Sequence, residues 1–149
     1  MPGRDSTHWL LRFSPDEWLR AGMRELNVAK ESFARHAARP GLASARRAAG
    51  MGWNAVLALE ETPDSKFGRS YAEHLVALAE GKQLDTTDPT PIPEEVRAAA
   101  RRLLEDPAAG RQEVVQILTP RRDGALLDAA ETILAEALSR VVRRSSAAS

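Results

Sequence analysis

In the stretch KFGRSYAEHLVAL, residues 66–78, Arg69 precedes His74 by five positions, with Ser70 directly after the arginine. A histidine titrates near neutral pH and can take the proton of an RNA 2′-hydroxyl. A nearby guanidinium can hold the adjoining phosphate and offset the charge that develops on it. Together the two side chains would supply what metal-independent RNA cleavage needs. The same residues also have a plainer reading. Phe67, Tyr71, His74, Leu75 and Leu78 fall on one helical face, so His74 sits on or beside a buried stripe, as a hydrogen-bonded core histidine does. Five residues turn through about 140° on a regular helix. Arg69 and His74 therefore converge only if the helix starts after Arg69, or if a partner subunit completes the site.

A second group is basic. Arg35, His36, Arg39, Arg46 and Arg47 surround the first interhelix turn, beside the free N–H groups that open the next helix. That is a reasonable place for a phosphate or nucleotide. The alternative is a solvated surface with i, i+4 partners such as Glu31 and Arg35. Asn54 is a third candidate, lying among Trp53, Ala55, Val56 and Leu57. A polar group there needs a partner, either across a dimer seam, where it would set register, or on a nearby backbone group. Other chemistries find no support. There is no cysteine, no Gly-rich loop followed by Lys-Ser/Thr, and no His-Glu-x-x-His pair, and the three histidines are far apart. Neither a metal nor a cofactor is expected.

The elements that must position these residues are helical. Alanine, arginine, leucine and glutamate dominate, aromatics are 5%, and β-branched runs are nearly absent. At 149 residues the chain suits one domain, expected over 14–144, with an N-terminal arm at 1–13 and a disordered tail at 145–149. Ser14, Pro15 and Glu17 predict a capped helix start. That helix should end near Pro40, and a second, about 42–61, combines small residues (Ala43, Ala45, Ala48, Ala49, Gly50, Gly52) with Trp53, Val56 and Leu57. A helix apolar on most sides is central in a bundle or shared with a partner subunit. The turn at 62–65 should launch a third helix ending near Gly81. A fourth begins around Pro93, a short one covers AAGRQEVVQIL, and the last runs from about Asp123 to Arg144. The expected fold is all-α, an antiparallel up-and-down bundle of about five helices: a four-helix core plus one extra short helix. Lys+Arg and Asp+Glu each total 21, so net charge is zero, which argues against whole-surface attraction to nucleic acid, and no DNA-specific motif stands out. No apolar run approaches membrane-span length, and no signal peptide is legible, so a cytoplasmic protein without a membrane partner is expected.

Four stretches carry a resemblance. EWLRAGMRELNVAKESF and ARRAAGMGWNAVLALE resemble the first helix pair of the HEPN superfamily. SYAEHLVALAEG resembles its third helix, with the His-Leu-x-x-Leu pattern, and LLDAAETILAEAL its closing helix. The resemblance implies a helical bundle that often dimerises. Its members are either metal-independent ribonucleases, often toxins of toxin–antitoxin pairs, or non-catalytic modules that bind nucleotides or accompany a nucleotidyltransferase-type protein. Catalytic members carry an arginine four to six residues before a histidine, near the start of a late helix. Arg69 and His74 match the spacing, but they lie in the third helix, and the last helix has no histidine. The resemblance thus implies first a non-enzymatic, homodimeric module binding a nucleotide, RNA or protein partner. It implies second a ribonuclease using Arg69 and His74. A purely structural bundle is the third reading.

Overall fold

The computed structural model describes residues 9–59, 67–84, 89–105 and 112–148. Five helices account for most of them: α1 (Pro15–Ala34), α2 (Ala38–Leu57), α3 (Tyr71–Ala79), α4 (Glu94–Leu104) and α5 (Gln112–Ala148), preceded by one 3₁₀ turn at Trp9–Arg12. No strand occurs among the described residues. The fold is the all-α bundle that the composition predicts.

Helix α1 begins where its cap residues place it. The Ser14 hydroxyl accepts the Glu17 N–H at 3.1 Å, and the Glu17 carboxylate accepts the Ser14 N–H at 2.9 Å, a reciprocal capping box. Those bonds also hold the Glu17 carboxyl below its usual range, the backbone bond most of all. The preceding turn is fastened by the Trp18 indole N–H, which donates to the Leu10 carbonyl at 2.8 Å, while Phe13 meets Trp18 edge-on.

The α1–α2 connection is tighter than expected. His36 takes a left-handed φ of 61°, its N–H donates to the Phe33 carbonyl, and the Ala37 N–H donates to the Ser32 carbonyl. This paired closure ends α1 at Ala34 and restarts the chain at Ala38. Pro40 therefore falls in the first turn of α2, where its missing N–H costs nothing, and does not push the helix start beyond it. At the other end, one continuous α5 replaces the expected short helix and last helix. Its backbone passes through Pro120, since a proline removes one i→i−4 bond and need not end a helix. It also continues past Arg144 to Ala148. The predicted turn at 62–65 and residues 1–8 of the predicted arm lie outside the described residues.

Helices α1 and α2 are antiparallel neighbours. Helix α5 runs antiparallel to α1, with Lys30 reaching Glu131 at one level and Gly22 facing Leu134 at another. Helix α2 is the centre of the bundle, and its small residues are spent inside the chain. A Cβ at Gly52 would lie 2.5 Å from Leu134 Cδ2, one at Gly50 would run into the Tyr71 ring, and Ala45, Ala48 and Ala49 are fully buried. Close backbone approach is thus used for intramolecular packing on α1, α3 and α5.

Candidate functional site

Helix α3 starts at Tyr71. Ser70 is its N-cap: the Ser70 hydroxyl accepts the Glu73 N–H at 3.1 Å and donates to the Glu73 carboxylate. Arg69 therefore lies before the helix, exposed to solvent, so one condition for bringing it near His74 is met.

The other requirement, an accessible histidine, is not. His74 is 0% exposed. Its Nδ1 lies 2.5 Å from the Phe67 carbonyl and its Nε2 lies 2.6 Å from Asn54 Oδ1. Burial is the largest influence on its pKa and lowers it, outweighing the Phe67 bond and the Glu73 charge, which act in the other direction. The ring is therefore neutral near pH 7 and has one N–H to give. That N–H belongs on Nδ1, donating to Phe67, and Nε2 is then an acceptor. The match is complete when Asn54 presents its amide NH₂ to Nε2. In the opposite orientation the buried Asn54 Nδ2 has no partner. Two residues singled out for different reasons, Asn54 and His74, are thus one structural pair that fastens α3 to α2. The ring holds no water-facing nitrogen with which to take a proton from a substrate.

The basic group separates into two kinds. Arg35, His36 and Arg39 are exposed at the α1–α2 turn. Arg46 turns away to close the end of α4, donating from Nε to the Leu103 carbonyl at 2.5 Å and from Nη2 to the Glu105 carbonyl at 3.2 Å. Arg47 pairs with Glu25 at 2.9 Å and donates to the Ser44 hydroxyl. Two of the four arginines predicted to hold an anion are thus engaged within the fold.

Two features were not anticipated. Arg140, on the closing helix, is 0% exposed. It donates to Glu136 at 2.7 Å and to the Thr90 and Pro91 carbonyls, and lies 5.7 Å from the Trp53 ring centre. It ties the proline-rich connector to α5. The signal that could have separated it from exposed Arg143 is helical period, since Arg140 continues the buried series Leu126, Ala130, Ile133 and Ala137. The second is an open apolar groove of about 300 Å³ between α1 and α5, lined by Leu19, Met23, Leu26, Leu134, Ala135 and Leu138. Met23 and Leu138 are each 53% exposed, as is Val142 one turn further on. The spacing of Leu19, Met23 and Leu26 was the available signal, since it widens the apolar stripe of α1 beyond what α2 covers.

Among the described residues, no group of His, Cys, Asp and Glu has the arrangement of a metal site, and no helix is long and apolar enough to cross a membrane. No protein-family model matches the chain, and no curated protein or solved structure matches it significantly.

Proposed function

We propose that this chain is a non-enzymatic, HEPN-like helical module, homodimeric, that works by binding a nucleotide, RNA or protein partner. The observation that carries the non-enzymatic reading is the burial of His74 between Asn54 and Phe67. A general base must reach its proton directly or through one water, and this ring reaches neither. What the surface offers instead is recognition: an apolar groove on α1–α5, and Arg35 and Arg39 exposed beside the α2 start.

The discriminating experiment is an RNA-cleavage assay in EDTA with the wild type and Arg69→Ala. Arg69 is exposed, so its loss leaves the fold intact. The proposal expects no cleavage by either protein. Cleavage by the wild type that Arg69→Ala abolishes would establish the ribonuclease reading instead. A nucleotide or RNA ligand is checked by salt-dependent binding that weakens in Arg35→Ala/Arg39→Ala.

A further inference from the structure

We infer that the α1–α5 groove is the seat of a second copy of this chain, packed so that α1 of each copy lies along α5 of the other. This deepens the homodimer part of the function proposed above. The groove is a solvent-open strip running from Leu19 to Lys30 on α1, about three helical turns. That shape suits a helix rather than an enclosed small molecule.

Charge and register then select the occupant. Helices α1 and α5 run antiparallel, and Lys30 and Glu131 pair at 3.4 Å across one end of the groove, each about half exposed. A two-fold axis along the helices sets α1 against the partner's α5 in the same antiparallel sense and at the same level. Each Lys30 then meets the partner's Glu131, so two ion pairs become a ring of four alternating charges. Met23 comes to lie over the apolar stretch that Ala135 and Leu138 form. A chain with 21 basic and 21 acidic residues has no net charge to oppose the meeting of two copies. The result is a four-helix interface with an apolar centre and a charged rim, the pattern of specific interfaces. The small-residue face of α2, the other expected seam, is already filled by α1, α3 and α5.

The test is the molar mass of the full chain in solution over a concentration series, by sedimentation or light scattering. The expected species has twice the 16.3 kDa chain mass. Met23→Glu/Leu138→Glu is expected to be monomeric with an unchanged helical circular-dichroism spectrum. A charge exchange covers the case in which that variant fails to fold. Lys30→Glu and Glu131→Lys chains, each like-charged at the rim, are expected to be weakly associated alone and to form a mixed dimer when combined. A wild type that stays monomeric throughout overturns the inference. So does a dimer that survives Met23→Glu/Leu138→Glu, and so does a mixture with no preference for the mixed pair. A dimeric chain that also cleaves RNA through Arg69 would refute the non-enzymatic reading and leave this inference standing.

Discussion

The α2–α3 seam and the α1–α5 face are both apolar surfaces between helices, but they are closed by opposite means. At the seam, Gly50 admits the Tyr71 ring, Ala49 and Trp53 are fully buried, and the His74 ring spends both nitrogens on Phe67 and Asn54. At the α1–α5 face, Leu134 fills the space left by Gly22 and Gly52, yet Met23, Leu138 and Val142 stay more than half exposed. At the seam the imidazole is locked inside, and at the α1–α5 face the exposed residues are chemically bland. A histidine five residues after an arginine is here part of a structural joint, and the α1–α5 face carries apolar groups that none of the described residues covers.

The contrast can be broken or sharpened by substitution. The largest effect is expected inside the bundle at Arg140. Arg140→Ala strips the partly buried Glu136 of its cation and should cost about 3–5 kcal/mol in urea unfolding, whereas Arg140→Met, which refills the volume, should cost less. Next comes Gly52→Val, which drives a branched side chain against Leu134 and should cost about 1–3 kcal/mol. Asn54→Ala removes the partner of His74 and should destabilise by a similar or smaller amount, about 1–2 kcal/mol, by the same measurement. His36→Gly relieves a left-handed backbone and should stabilise by about 1 kcal/mol. At the open end of the series, Arg69→Ala should change stability by less than about 0.5 kcal/mol, because its side chain is exposed and lies outside α3. If Arg69→Ala proved as costly as Asn54→Ala, the arginine would belong to the joint and the contrast would fail.

Much of the fold was readable because its signals are local. Ser14, Pro15 and Glu17 mark the α1 start by bonds made within three residues, and the apolar stripes of α1, α2 and α5 follow from helical period. What could not be read depends on distant contacts. Pro40 and Pro120 look like helix breaks, but one sits in a first turn and the other in a backbone that continues past it. Helical period puts Arg140 on the buried stripe of α5, but its carbonyl partner Thr90 lies 50 residues away in sequence and only the packed connector brings it there. The pairing of Asn54 with His74 joins two residues that the sequence flagged separately, and only the packing of α3 on α2 brings them together.

The central claim, that His74 is a buried joint rather than a base, is tested most directly by following its imidazole resonances by NMR across pH, assigned with His74→Gln. The account predicts a neutral ring protonated on Nδ1, with a titration midpoint below the ordinary value near 6.5, because burial lowers it. The unfolded chain then takes up the proton first. The stabilising contribution is complete above about pH 6.5 and is lost as pH falls toward the lower folded-state midpoint, by at most about 1.4 kcal/mol per pH unit. His74→Gln should lack that acid-side slope. A ring that titrates at or above the ordinary value, with an N–H in rapid exchange with water, would contradict the account and return His74 to the candidates for catalysis.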